Sequence, residues 1–578
     1  MNPKGSLPLW AGLTPAVFLT LCSPLWGDNP PVTVIIDPAA TTGSISPLIY
    51  GMAFAPEDLV EDLRLPVNRS GGNSQTRYNW QADATNRASD WYFESLPNDN
   101  ANPGQLPHGS STDRFYEANA SHGCATILTV PMIGYVAKDR NRLCSYSIIK
   151  YGPQQDNDWQ WFPDAGNGIR LDGSPITDND PLDSHVAVGE AFMGDWVAHL
   201  VSRYGQASSG GVQYLALDNE PGLWHETHRD VRLIAPHDAE LAATSVSYAS
   251  TIKSADSTAM TLGYEGWGWL SLIYSPFDFQ YACNTGNWSW TPDRSSGGYE
   301  FFAEYYLQEL SQAEVTAGRR LLDVFTAHLY PQGGEYSNNE SAAMQARRMR
   351  STRCLWDPEY VDETWIADII MLIPRMRAWV DSLYPGTKIG ITEYNWGALG
   401  YPDGGIAQAD ILGIFGREGL DIGTLWTDVQ PGSPGYNAFK LYTDYDDAGS
   451  GFGNVSLACS VANPDSVAAF ASIDTDTWQL KVIVLNKYPS GVTPVTLEVR
   501  NAPPLGVAHV YQWAGYTPLQ PLADLEFIGN CVTLLAPPYS ATLVVTSLCF
   551  DFELGESSGG SQLRGNRCRG ATAWRERS

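Results

Sequence analysis

The stretch Val212-Gln213-Tyr214-Leu215-Ala216-Leu217-Asp218-Asn219-Glu220-Pro221 decides the fold. The apolar run from Val212 to Leu217 is short enough for a buried strand and too short for a helix. It stops on acid, amide, acid and proline, and the proline offers no N–H for a continuing ladder. An apolar strand that ends in reactive side chains suits a parallel α/β architecture, whose functional groups stand at the carboxyl ends of its strands.

Working outward, seven comparable runs flank this one: Ile49–Phe54, Leu63–Asn68, Ala125–Ile133, Met260–Tyr264, Leu322–Leu329, Ile389–Thr392 and Ile422–Thr427. Amphipathic stretches lie between them. In Val186–Val201, for example, Val188, Phe192 and Trp196 stripe one helix face together with Met193, Val197 and Leu200. Strands alternating with helices predict a (β/α)8 barrel with long loops over residues 47–445. Beyond Ala448 the segments become short, β-rich and punctuated by turns, which predicts a β-sandwich over residues 446–549. The β-branched segment Val32–Ile36 within residues 28–46 is expected to lend that sandwich a strand. Residues 1–27 carry one cation and an apolar stretch from Leu7 to Leu25, the pattern of a cleaved secretion signal. Residues 550–578 are rich in Gly, Ser and Arg and read as a disordered tail.

Composition narrows the partners. Against 35 Lys and Arg stand 64 Asp and Glu, a formal net charge of −29 that repels phosphate backbones and excludes nucleic acid. Twenty Trp, 29 Tyr and 18 Phe are too many aromatics for a disordered chain. A neutral sugar suits both features, since its CH face stacks on a ring and an acidic field leaves it indifferent. No segment after the signal is long and apolar enough to span a membrane, and a monomer is expected. The nine cysteines lack metal-ligand spacing, and export would permit disulfides as readily as buried thiols.

Two strand ends carry the chemistry. The fourth run ends on Glu220, and the seventh continues as Thr392-Glu393-Tyr394-Asn395-Trp396. Strands four and seven face each other across a barrel mouth. Glycosidic hydrolysis needs two such carboxyls, one to protonate the leaving oxygen and one to act as nucleophile or base. Asn219 is positioned to donate to a sugar hydroxyl. Arg69 either holds a carboxylate or bridges loops; Asn73 follows the same strand; His328 serves a carboxylate, a sugar or the core; Tyr330 and Tyr394 orient the nucleophile or pack. Trp91, Trp224, Trp356, Trp396 and Trp426 are candidate sugar platforms, with Trp396 and Trp426 nearest the two acids' strands. Asp178, Asp180 and Asp183 gather enough oxygens for a structural calcium, with helix capping as the alternative. Catalysis itself calls for no cofactor.

The runs Asn68-Arg69-Ser70-Gly71-Gly72-Asn73, Arg77-Tyr78-Asn79-Trp80 and Asp90-Trp91 resemble glycoside hydrolase family 44. So do Asp218-Asn219-Glu220-Pro221, His328 with Tyr330-Pro331-Gln332, Leu355-Trp356-Asp357-Pro358 and Thr392-Glu393-Tyr394-Asn395. The resemblance spans Val32 to about Thr546. It implies a TIM-like barrel with a β-sandwich, secreted endo-β-1,4-glucanase or xyloglucanase activity on a β-glucan polysaccharide, and a retaining double displacement with Glu220 as acid/base and Glu393 as nucleophile. The chain departs from the family at Leu329, where an aromatic is usual, which would alter a subsite near that strand.

Overall fold

The computed structural model describes residues 28–548, so the expected signal and tail lie outside the described residues. Strand β1 (Val32–Ser44) leaves the barrel alone. It pairs antiparallel with Val455–Ser460 and parallel with Thr493–Val499 inside a ten-stranded sheet built otherwise from the carboxyl-terminal strands.

Eight parallel strands then close a barrel in chain order: β2 (Gly51–Ala53), β3 (Val67–Ser70), β4 (Ala125–Val130), β5 (Tyr214–Leu217), β6 (Met260–Gly266), β7 (Val324–Leu329), β8 (Lys388–Tyr394) and β9 (Ile422–Leu425), with β9 returning to β2. Val67, Ile127, Tyr214, Leu262, Val324 and Ile422 fill the barrel floor as an apolar layer of their own. Strand periodicity returns the same face two residues later, and there β3 and β7 carry Arg69 and Thr326. The barrel therefore changes from apolar to polar within one layer, at its carboxyl end. Three strands carry bulges there, between Gly263 and Gly266, Ala327 and His328, and Ile391 and Tyr394. Bulges re-aim side chains next to functional sites.

The helix expected at Val186 begins later, at Glu190, and runs to Tyr204. His185–Ala187 instead pairs with Tyr135–Ala137 in a small loop sheet, which takes Val186 out of helical geometry. The buried stripe Met193, Trp196, Val197 and Leu200 is retained. Leu63 likewise ends the helix Glu57–Asp62, and the strand waits until Val67.

The second domain packs on the barrel through Val467–Asp474. Val467, Ala469, Ala471 and Ile473 face the core of the β-domain, while Ala468 and Phe470, on the opposite face, join the barrel's core. The helix Pro402–Arg417 is buried between the two bodies. Its Asp410 accepts from Lys487 Nζ at 2.8 Å and from the Thr352 hydroxyl at 2.7 Å. Cys124, Cys144, Cys283, Cys354 and Cys459 are free thiols, and burial pushes Cys124 and Cys144 up to about 12. No helix among the described residues is long and apolar enough to cross a membrane.

Candidate active site

Glu220 reaches the barrel mouth through a strained turn. Asp218 and Glu220 both hold positive φ, 67° and 46°, which non-glycine residues keep only where the surroundings enforce it. Asp218 supplies the enforcement. Its buried carboxylate accepts from the Met132 and Ile133 N–H groups at 2.5 and 3.1 Å and from the Thr76 hydroxyl at 2.6 Å. Burial raises its pKa to about 6 in spite of those donors.

Glu393, at the end of β8, stands beside His328 in the register of the β7–β8 pair. Glu220, His328 and Glu393 each present a donor atom within 4.8 Å of the others. His328 Nδ1 lies 2.8 Å from Glu220 Oε1 and 3.4 Å from Glu393 Oε2. Its Nε2 lies 3.1 Å from Oε2 of a third acid, Glu265, at the end of β6. Arg69 completes the group. Nη1 donates to Glu393 at 2.7 Å, and Nη2 donates to Glu265 and to Asn219 Oδ1, each at 2.9 Å. Tyr330 donates its hydroxyl to Glu393 Oε2 at 3.0 Å.

The electrostatics follow from burial and charge count. Burial alone would lower the His328 pKa, but Glu393, Glu220 and Glu265 outweigh it and raise it to about 9, so the imidazolium donates to carboxylates from both nitrogens. Burial would raise Glu265, yet Arg69, His328 and Thr326 hold it at about 2. For Glu220 burial dominates and the pKa is raised. Two cations, Arg69 and His328, thus face three carboxyls, and among these burial raises Glu220. The same count argues against a metal ion at Glu220, His328 and Glu393, since a cation would meet an imidazolium and the Arg69 guanidinium already on the carboxylates.

Beside this group runs a cleft of about 550 Å³ whose lining includes Phe54, Gly72, Asn73, Asp90, Phe115 and Trp426. Gly72, at φ 77°, lets the Trp426 ring lie against the backbone, where a Cβ would come within 2.5 Å of the indole. Gly72 N–H also donates to Asn219 Oδ1 at 3.0 Å, and Asn219 Nδ2 has no hydrogen bond among the described residues. Asn73 donates to both oxygens of Asp90, while its own buried Oδ1 has no partner.

Arg69, Asn219, His328 and Tyr330 thus converge on the two acids, Asn73 and Trp426 line the adjoining cleft, and Trp91, next in sequence to the cleft residue Asp90, stands exposed. Other sequence expectations need correction. Trp396 is buried, with Nε1 donating to Ser351 Oγ at 2.9 Å, and is no platform. Tyr394 follows Glu393 on the strand, so alternation turns it outward, where its hydroxyl accepts from Gln408. Trp224 is packed in the barrel's core, and Trp356 lies under the Arg417 guanidinium, 4.1 Å from its ring centroid, on the side of the β-domain. Leu329 is buried in the same core, so the departure there falls on a packing position. Asp178, Asp180 and Asp183 do not converge on one ion: Asp178 pairs with Arg170, Asp180 caps the turn at Leu182, and Asp183 holds Lys150. The residue the sequence reading missed is Glu265. The fifth apolar run ends one residue before it, and an acid directly following a buried strand is the signal that would have found it.

Comparison with known proteins agrees with this geometry. The model of glycoside hydrolase family 44 matches residues 84–333. Endoglucanase A of Paenibacillus lautus is 31% identical over 541 residues, which cover 89% of this chain and 72% of that protein. Among solved structures, CelM2, a bifunctional glucanase-xylanase from a metagenome library, is 44% identical with a TM-score of 0.88, covering 90% of this chain and all of that one. A Paenibacillus polymyxa family 44 xyloglucanase with xyloglucan is 29% identical with a TM-score of 0.75, covering 90% of this chain and 100% of its own. With a parallel barrel, an acid at the end of each of two facing strands and relatives matched along most of their length, the chain belongs to glycoside hydrolase family 44.

Proposed function

We propose that this protein is a secreted, retaining, endo-acting glycoside hydrolase that cuts internal β-1,4-glucosidic bonds of cellulose-like glucans or xyloglucan. The observation that carries the reading is the pairing of Glu220 and Glu393, with donor oxygens within 4.8 Å. That spacing suits a nucleophile acting directly on the anomeric carbon and leaves too little room for the intervening water of an inverting enzyme.

In the first step a Glu393 oxygen attacks the anomeric carbon while Glu220 gives its proton to the departing glycosidic oxygen, so a glycosyl ester forms as the C–O bond breaks. Glu220, now a carboxylate, then takes a proton from water, the water oxygen bonds to the anomeric carbon, and Glu393 leaves. Tyr330 and Arg69 fix the two oxygens of Glu393 for attack. His328 donates to the Glu220 oxygen that does not carry the proton. Asn219, anchored through Oδ1, offers Nδ2 to a hydroxyl of the sugar being transferred, a bond that strengthens as positive charge develops there. Trp426 supplies a stacking face in the cleft. Support for a β-glucan substrate comes from relatives described as endoglucanase, glucanase-xylanase and xyloglucanase. Residues 1–27 support export by their sequence alone.

The test combines product and variant. Proton NMR of fresh hydrolysate from xyloglucan or carboxymethylcellulose should give the β-anomer first, with an early fall in viscosity. Glu220→Gln should lose activity on the polymer, retain glycosylation with an aryl glycoside of acidic leaving group, and yield a β-glycosyl azide when azide is added. An initial α-anomer, or polymer hydrolysis by Glu393→Gln at the wild-type rate, refutes the mechanism.

A further inference from the structure

Asn219 and Glu220 are aimed in different ways. The Asn219 side chain is held directly, its Oδ1 accepting from Arg69 Nη2 at 2.9 Å and from the Gly72 N–H at 3.0 Å. The Glu220 carboxyl has a single hydrogen-bond partner among the described residues, His328 at 2.8 Å, so its direction is left to the backbone that carries it. That backbone departs from a strand. Side chains two residues apart on a strand share a face, yet Asp218 turns to the loop after β4 and Glu220 to His328 on β7. The left-handed backbone at both residues makes the divergence. We propose that Asp218 is a positioning residue for proton donation: buried away from substrate, it acts through the backbone of Asn219 to aim the Glu220 carboxyl at the departing glycosidic oxygen. The assignment rests on the reading of Glu220 as the acid and adds to it the part that places the acid.

Asp218 ties three segments together. Its Oδ2 takes the two N–H groups of Met132 and Ile133, beyond β4. Its Oδ1 takes the Thr76 hydroxyl at 2.6 Å, from the turn Gln75–Arg77 beyond β3, and the N–H of Asn219 at 2.7 Å. The bond to Asn219 fixes the peptide that leads into Glu220, and the other three hold the carboxylate that makes it. Asp218 and Thr76 are both fully buried. The turn that brings Thr76 is itself anchored, since Arg77 donates to Asp230 at 2.5 Å and to His228 Nδ1 at 3.1 Å. Four donors fill the accepting capacity of a carboxylate. An amide cannot replace it, because either orientation of an Asn turns NH2 toward at least one backbone N–H: those of Met132 and Ile133, or that of Asn219. Backbone held in a rare conformation persists only while its surroundings enforce it, so loosening Asp218 releases the turn that carries the acid.

The experiment varies the leaving group. For phenyl and dinitrophenyl β-cellotriosides, kcat/KM, which reports formation of the glycosyl ester, is measured with wild type, Asp218→Asn, Thr76→Val and Glu220→Gln. Phenolate needs a proton to depart and dinitrophenolate does not, so only the first substrate senses where the acid stands. Asp218→Asn should lose about 100-fold on the phenyl substrate and less than about threefold on the dinitrophenyl one. Thr76→Val, which keeps the volume and removes one donor from the carboxylate, should show the same selectivity at about tenfold, and should add little to Asp218→Asn in the double variant. If Asp218→Asn does not fold, Thr76→Val decides. Equal losses on both substrates, which a merely structural role would give, or an unchanged phenyl rate in the single variants, overturn the positioning role. If Glu220→Gln fails to discriminate between the leaving groups, the reading of Glu220 as the acid falls and Asp218 with it. If Glu220→Gln discriminates and the other two variants do not, the role of Asp218 alone falls.

Discussion

Replacing Glu265 by Gln tests the electrostatic core of the site. In the folded protein this carboxyl sits at about 2 against a usual 4.5, a gap that linkage converts into about 3 kcal/mol of stability at neutral pH. Because its folded value lies below its unfolded one, that contribution is complete above about pH 4.5 and is lost as pH falls toward 2. The amide also fits poorly. Oε2 accepts from Arg69, His328 and Thr392, and Oε1 accepts from Thr326, so a Gln can keep its oxygen on the three donors only by turning its NH2 to the Thr326 hydroxyl, and it leaves both cations without that carboxylate's charge. A folded body of this size carries roughly 1 kcal/mol/K of unfolding entropy, so Glu265→Gln should melt about 3 °C below wild type at pH 7, and the difference should shrink as pH falls from about 4.5 toward 2. Differential scanning fluorimetry of both proteins between pH 7 and 3 makes the measurement. A difference that stays constant with pH, or a variant that melts higher at pH 7, refutes the charge balance drawn here.

Other outcomes follow from the same contacts. The raised pKa of Glu220 puts the alkaline limb of the kcat/KM profile above the ordinary carboxyl range, with activity falling as the acid loses its proton; Glu220→Gln should abolish that limb for an aryl glycoside with an acidic leaving group. Tyr330→Phe removes a hydroxyl donor from Glu393 and should lower kcat by about 10- to 100-fold, the worth of a hydrogen bond to a charged group, with wild-type circular dichroism. Gly72→Ala forces a Cβ onto the Trp426 indole at a positive φ, and should weaken oligosaccharide affinity in calorimetry while leaving the charge group in place. Lys487→Met leaves Asp410 buried without its cation between the two domains and should cost about 3 to 5 kcal/mol, read as a lower melting temperature.

The strand ends were legible because a barrel writes them plainly: an apolar run filling both faces stops where the interior turns polar, and Glu220 and Glu393 stand at two such stops. Glu265 escaped because its strand continues through a bulge between Gly263 and Gly266 with positive φ at Glu265 itself, so the two-residue alternation that would have pointed it inward is broken. The tryptophans were illegible for another reason. An indole suits a core and a sugar equally well, and only chain direction separates the uses. Trp396 follows Glu393 by three residues and turns inward onto Ser351, while Trp426 follows the shortened β9 and stays over Gly72. Nor does sequence distance reveal that Arg69 sits between Asn219, Glu265 and Glu393, although the arrangement depends on it. Two pairable acids at strand ends would suffice to describe a glycosidase, but buried together two carboxylates would repel. The third acid resolves this. By anchoring Arg69 and His328 inside the barrel, Glu265 keeps two positive charges beside the pair, while burial raises the pKa of Glu220. The positive charge that lets two acids share one buried site is therefore held by a side chain that need touch no substrate.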